Sequence, residues 1–294
     1  MLLMEKLQNC NHLSASQQAV VDFLMEHRET VETMTMEDIA KSVYTSPATL
    51  VRLSKNLGYT GFNQLKRDFV EEQKYLSQHF RSIDANLPFQ ERENMMSIAG
   101  KISSLVKETM DDTLSLLNYQ DLAAAVNIVE KADKIHLSAI SFPLLMGQNF
   151  QLKMRRVGKC VEITDLVGEQ LYTASIIHKN DCGIIISYSG ETPVPCDMMR
   201  LYKKKKIPVI AITSMGSNYI RDHADVSLTI TSREKLYSKI AGYSSEFSIK
   251  LILDILYSCY FRNHYTDFLS SKKELSKASE PGRVSNSNIL KEDS

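Results

Sequence analysis

Five short apolar runs in the second half of the chain, separated by helical patterns, constrain the fold more than any other feature. They read KIHLSAI (134–140), KCVEIT (159–164), CGIIIS (182–187), IPVIAIT (207–213) and DVSLTI (225–230). Between them lie LLMGQNFQLKMRRVG, GEQLYTASIIH, TPVPCDMMRLYKKKK and NYIRDH. LAAAVNIVEKA precedes the first run, and an apolar helix over 244–262 follows the last. Strands that are apolar at nearly every position are covered on both faces, and a helix between successive strands makes them parallel. The pattern predicts an α/β fold, a doubly wound parallel sheet.

The first eighty residues follow a different grammar. Ser14 with Gln17 is a capping box, and Val20, Phe23 and Leu24 share one face of the helix it opens. Thr35 with Asp38 opens a short helix through Ile39 and Ala40. Ser46-Pro47 is a third start, a hydroxyl cap with proline at the first helical position. Leu50, Leu53 and Leu57 follow at helical spacing, and Gly58 stops that helix. Another helix is expected from Asn63 to about His79. This region reads as a compact all-α unit. Residues 81–92 are polar around Pro88 and read as a linker. A long helical pattern with Ile98, Ile102, Leu105 and Val106 comes next. The last 25 residues, 270–294, hold seven serines and nine charges, which predicts a disordered tail.

Charge excludes several function classes. The 294 residues carry 35 Lys+Arg against 35 Asp+Glu, so the chain is not a globally basic nucleic-acid binder. No apolar run approaches the roughly 18–20 residues of a membrane span. The opening MLLMEKLQNCNHLS lacks the apolar core of a secretory signal, which predicts a cytoplasmic protein. The five cysteines are scattered without a CxxC pair, so neither a disulfide frame nor a zinc site is expected. No metal, cofactor or catalytic set is predicted.

Two segments carry chemistry. Over residues 36–67, a short helix, a tight turn and a capped second helix make a helix-turn-helix pattern. Lys41, Arg52, Lys55, Lys66 and Arg67 lie in an acid-free run from 41 to 67, while the rest of the first eighty residues holds three basic against ten acidic residues. Pro47, Thr49 and Arg52 stand near the start of the second helix, where a recognition helix touches base edges. Arg52 suits a bidentate guanine contact or a phosphate contact, and Lys55, Lys66 and Arg67 suit phosphates. The second segment is CGIIISYSGET (182–192). It places three hydroxyls and unpaired amides at the end of a buried strand and the start of a helix, a geometry that suits an anion such as phosphate. Gly190 lets the backbone approach a ligand.

Together, SPATLVRLSKNLGYTGFNQLK (46–66), ISYSGET (186–192), IPVIAITS (207–214) and the Ala224-Asp225 pair resemble the RpiR/MurR-type bacterial transcription regulators. That resemblance covers roughly residues 1–265. It implies a helix-turn-helix DNA-binding domain over 1–80, a linker and helix over 81–108, and a sugar-isomerase-type (SIS) phosphosugar-binding domain over 109–265, leaving 266–294 as tail. It further implies a homodimer or homotetramer on a palindromic double-stranded operator, with a phosphorylated sugar or amino sugar as effector. Carried over by position, the recognition helix supplies Ser46, Pro47, Thr49, Arg52 and Lys55. The phosphate loop supplies Ser187, Ser189, Gly190 and Thr192. Glu191 lies beside the sugar or caps its own helix.

Two departures stand out. Relatives often have glycine in the helix-turn-helix turn, where this chain has Tyr44; a left-handed backbone there costs about 1–2 kcal/mol. The first SIS strand usually ends in a Gly-x-Gly-Ser loop, and here the stretch is Ala139-Ile140-Ser141-Phe142-Pro143. Phe142 replaces a phosphate-binding hydroxyl, and Pro143 removes an N–H. Ser138 or Ser141 can compensate. Two other readings remain: an SIS-fold sugar-phosphate isomerase with Glu191, His178 or Glu246 as base, and a regulator with a degenerate ligand site.

Overall fold

The structure is a computed structural model that describes residues 3–8, 10, 13–28, 30–79, 83–280 and 282. Helices α1 (Leu3–Gln8), α2 (Ala15–Glu26), α3 (Met36–Ser42), α4 (Pro47–Asn56) and α5 (Phe62–His79), with a 3-10 turn at Val31–Thr33, close around one apolar core. Val20, Leu24, Ile39, Leu50, Leu53, Leu65 and Phe69 fill it. Both capping boxes form: Ser14 and Thr35 accept the amides of Gln17 and Asp38, whose side chains return the bond. The Glu72 carboxylate accepts the amides of Leu3 and Met4 at 2.6 and 2.8 Å, which ties the start of α1 to α5.

The turn between α3 and α4 is left-handed at Tyr44, with φ of 52°. The Thr45 amide donates to Ala40 O and the Tyr44 amide to Lys41 O, the paired bonds of a Schellman motif. The same two bonds end α4, from Tyr59 to Ser54 and from Gly58 to Lys55, with Gly58 at the left-handed position. Tyr44 therefore takes a backbone that glycine takes one helix later. Its side chain, 99% exposed, packs on nothing that offsets the strain.

The second half contains α6 (Met95–Leu116), α7 (Tyr119–Lys131), β1 (Lys134–Ser138), α8 (Phe142–Arg155), β2 (Cys160–Ile163), α9 (Gln170–Ser175), β3 (Cys182–Ser187), α10 (Pro193–Lys204), β4 (Val209–Ser214), α11 (Tyr219–His223), β5 (Val226–Ile230) and α12 (Tyr243–Asn263). The five strands are parallel in the order β2-β1-β3-β4-β5. One face packs against α7, α8 and α12 through Val129, Phe150, Ile184, Ile212, Ile252 and Leu256. The other packs against α9, α10 and α11 through Ile185, Ala211, Met199, Tyr202 and Ile220. The strand order reverses between β1 and β3, so the loops leaving those two strands flank a crevice at the sheet's C-terminal pole.

A polar seam joins α6 to α12. Thr109 Oγ1 meets Ser244 Oγ at 2.6 Å and Thr113 Oγ1 donates to Ser248 Oγ at 2.8 Å. Each threonine Oγ1 also lies at hydrogen-bond distance from an α6 carbonyl, 2.8 Å from Leu105 O and 2.7 Å from Thr109 O. All four side chains are fully buried.

Two segments differ from the expectation. Residues 83–92 are irregular, yet Ala85, Asn86 and Pro88 are buried, and Asn86 is bonded to the loop after β5; residues 80–82 lie outside the described residues. The tail expectation is corrected over its first part, because Tyr265–Ser279 form a helix, α13. It buries none of its residues fully. Its first turn is held by Phe268, whose ring lies 5.5 Å from Tyr260 and 4.8 Å from His264. Those anchors precede residue 270, so the serine-rich composition did not register them. Residues 281 and 283–294 lie outside the described residues. Among the described residues, no helix is long and apolar enough to cross a membrane.

Candidate functional site

On the first half, α4 presents Arg52 and Lys55 to solvent, with Ser46 and Pro47 exposed at its start. Thr49 is buried instead. Its hydroxyl accepts from Thr45 Oγ1 at 3.1 Å and Arg52 Nη2 at 3.4 Å, and Ser46 Oγ lies 3.2 Å away. Thr49 thus fixes the turn against the helix and orients Arg52, a positioning part in place of the base contact expected from its place in sequence. The Ser46 side chain makes no bond to the α4 backbone, so proline geometry starts the helix without a side-chain cap. Lys66 is a second correction. Its ammonium donates to the carbonyls of Glu32 and Met34, satisfying the end of the 3-10 turn, and is not held out for a phosphate. Arg67 is exposed.

At the sheet pole, β3 delivers Ser187 and α10 starts after Thr192. The Ser187 and Thr192 hydroxyls lie 2.8 Å apart, and Gly190 N donates to Ser187 Oγ at 3.2 Å. Glu191 N donates to Ser189 Oγ at 3.2 Å. Gly190 has φ of 67°, and a Cβ there would stand 1.8 Å from Asn218 Oδ1, so both conformation and space require glycine. Among the described residues, the amides of Ser189, Thr192 and Val194 have no protein acceptor. Pro193 and Pro195 remove two further donors from the first turn of α10. An anion here would meet the hydroxyls of Ser187, Ser189 and Thr192, those three amides and the helix dipole.

Glu191 does not cap its own helix. Its Oε1 accepts the Tyr219 amide at 2.7 Å, while the Ile220 amide donates to Gly190 O at 3.1 Å. The short helix α11 is thereby fastened to the loop. Asn218 caps α11, its Oδ1 accepting the Arg221 amide at 2.9 Å. The N-cap signal before YIRDH could have revealed Asn218 as a loop neighbour; nothing local announced the Glu191 partner.

The neighbouring loop after β1 is less open to a ligand. Ser138 is 1% exposed and its hydroxyl donates to Gln170 Oε1 at 3.2 Å, beneath the pole. Its expected part in the ligand site is corrected accordingly. Ser141 is exposed with φ of 62° and ψ of −136°, a region that glycine occupies readily and serine does not. Phe142 is 57% exposed beside it. A cavity of 830 Å³ lies elsewhere, between α5 and the α11 end of the second half, lined by Asp68, Glu71, Asp121, Asp222 and Arg221 among others. Burial there pulls the Arg221 guanidinium below its ordinary range and raises the Asp68 carboxyl. The acid excess makes it a poor receptor for an anion.

Residues 1–75 match the helix-turn-helix domain of the rpiR family, and residues 128–253 match the SIS domain. The chain thus carries an rpiR-family helix-turn-helix domain followed by an SIS domain. An uncharacterised HTH-type transcriptional regulator of Caldanaerobacter subterraneus is 23% identical over 272 residues, covering 92% of this chain and 94% of that one. YbbH of Bacillus subtilis, named in the same way, is 26% identical over 255 residues, 85% of this chain and 87% of its own. Among solved structures, the NanR protein of Vibrio vulnificus complexed with ManNAc-6P is similar with a TM-score of 0.59 and 22% identity, covering 95% of this chain and 98% of that one. The chain thus resembles, along most of its length, proteins named as transcriptional regulators in sequence and the NanR structure in fold.

Proposed function

We propose that this chain is a transcription regulator whose operator binding is set by a phosphorylated sugar or amino sugar at the 187–192 loop. The observation that carries the reading is that loop: three hydroxyls lie at a helix N-terminus together with three amides that have no protein acceptor among the described residues, in a chain that also holds an exposed basic recognition helix. The NanR relative bound to ManNAc-6P supports the phosphosugar class. The DNA face consists of Ser46, Pro47, Arg52, Lys55 and Arg67, with Thr49 behind it. The resemblance to the rpiR regulators supports a homodimer or homotetramer on a palindromic operator, the arrangement in which two recognition helices read two half-sites.

The isomerase reading lacks a base at the site. His178 precedes β3 and so stands at the opposite end of that strand from the loop. Glu191 is bonded to the Tyr219 amide. Glu246 lies in the first turn of α12 against Gly242, its carboxyl pushed up by burial.

The test is thermal stability of the full chain against phosphorylated sugars and amino sugars, ManNAc-6P included, with unphosphorylated forms as controls. A ligand at 100 times its Kd stabilises by about 2.7 kcal/mol. A shift confined to a phosphorylated compound is the expected result, and no shift with any of them rejects the site. On an operator selected by the full chain from random DNA, Arg52→Ala should weaken binding by about 1–3 kcal/mol. Unchanged affinity removes Arg52 from the interface.

A further inference from the structure

The segment 83–88 leads toward the DNA-binding helices and is bonded to the loop that follows β5. Asn86 makes three bonds to that loop: its Oδ1 accepts the Lys235 amide at 2.7 Å, its carbonyl accepts the Ile240 amide at 2.9 Å, and its Nδ2 donates to Arg233 O at 3.3 Å. The Arg233 guanidinium reaches back to Ile83 O at 3.0 Å and to Glu108 at 2.9 Å. A composition that reads as linker therefore contains a buried asparagine joined to the second half by backbone and side chain alike.

The same loop is bonded on its other side to the candidate ligand loop, through one side chain. The Tyr188 hydroxyl donates to Glu234 O at 2.8 Å and accepts the Glu234 amide at 2.9 Å. A single phenol thus substitutes for a neighbouring strand at Glu234, one residue from both Arg233 and Lys235. Glu234 is in turn bonded onward to the start of α12. Its carboxylate accepts the Ser244 and Ser245 amides, the Ser245 hydroxyl and the Lys239 ammonium, and Lys239 also lies 5.2 Å from the Tyr188 ring centre. Tyr188 sits between Ser187 and Ser189, so a movement that lets those hydroxyls close on a ligand turns its side chain as well.

We propose that residues 83–88 form a strap that reads occupancy of the 187–192 loop, with Tyr188 as the positioning residue joining the two. The proposal rests on the reading of that loop as an anion site. An effector that shifts the loop backbone displaces the Tyr188 hydroxyl, Glu234 and its neighbours follow, and the bonds holding Asn86 and Ile83 change. The segment through which the DNA-binding helices join the sheet domain then changes its hold. Reciprocity requires that disturbing the strap alters the ligand loop by the same coupling.

The test is amide hydrogen exchange by mass spectrometry on the full chain, in two arms. Without ligand, Asn86→Ala should raise exchange of peptide 186–192 by about fivefold or more, and the same substitution in a Tyr188→Phe background should add nothing there. Unchanged exchange at 186–192 in Asn86→Ala overturns the strap. So does an undiminished effect in the Tyr188→Phe background, since Phe keeps the ring and removes only the hydroxyl. In the second arm, saturating inorganic phosphate should protect 186–192 and change exchange at 83–88 and 233–240 in the wild type. In Tyr188→Phe it should leave 83–88 unmoved. Protection at 186–192 with no change at 83–88 in the wild type overturns the strap while leaving the anion site standing. No protection at 186–192 rejects the anion site and the strap's effector role with it, whatever the first arm gives.

Discussion

The loops after β1 and β3 occupy adjacent places at the same pole, and each turns from strand into helix through a residue with positive φ. Gly190 serves one and Ser141 the other, at 67° and 62°. In the loop after β3, hydroxyls and open amides line the turn, and glycine removes both strain and collision with Asn218. In the loop after β1, the backbone keeps the same sign of φ while a β-carbon, an exposed phenylalanine and a proline have entered. Backbone shape and ligand chemistry can thus part company: topology maintains the turn, and side chains decide whether it still receives an anion. The proposed effector site thus rests chiefly on one loop of the two.

The largest effect that could break the comparison is Gly190→Ala. It combines a left-handed alanine with a collision against Asn218, and should destabilise the chain by about 3 kcal/mol in denaturant unfolding. A near-normal midpoint would mean that the loop needs no glycine. Next, Ser187→Ala with Ser189→Ala should abolish the stabilisation of about 2.7 kcal/mol by a saturating phosphosugar while the unliganded chain stays folded, less stable by about 1 kcal/mol for the lost Ser187 bonds; a retained response moves the site to the β1 loop. Ser141→Gly should stabilise by about 1 kcal/mol, because the strain of its backbone exceeds the entropy glycine adds to the unfolded chain. A loss of stability would show that the Ser141 side chain is held by something worth more than that strain. The smallest effect carries the comparison to the first half: Tyr44→Gly should raise stability by about 0.5–1 kcal/mol, the left-handed cost less the glycine entropy, and operator binding will show whether that exposed ring touches DNA.

What was legible in the sequence follows from where the determinants lie. Strands buried on both faces announce themselves as apolar runs, and capping boxes are local by construction, so Ser14, Thr35 and the five strands were all readable. The strain at Tyr44 was signalled only through the resemblance, whose glycine at that turn raised a left-handed backbone as one of two ways to build it. Lys66, Glu191 and Ser138 were not. Each is polar and sits in a plausible motif, and each is taken by a partner remote in sequence: Glu32 and Met34, Tyr219, and Gln170. The buried strap was hidden for a related reason, since Asn86 in a polar run looks solvated until the loop after β5 is placed beside it. A short motif reports what a residue could bond to; the fold decides which bonds remain open.

The hydroxyl seam between α6 and α12 carries a mechanical consequence. Thr109 and Thr113 stand four residues apart, as do Ser244 and Ser248, so the two helices mesh like toothed racks with one tooth per turn. A slide of half a turn would strand buried hydroxyls without partners, at about 1–3 kcal/mol for each one left unsatisfied. The next position that pairs any of them lies a full turn away, about 5.4 Å along the axis. The helix that follows the strap can therefore click or stay, but it cannot drift.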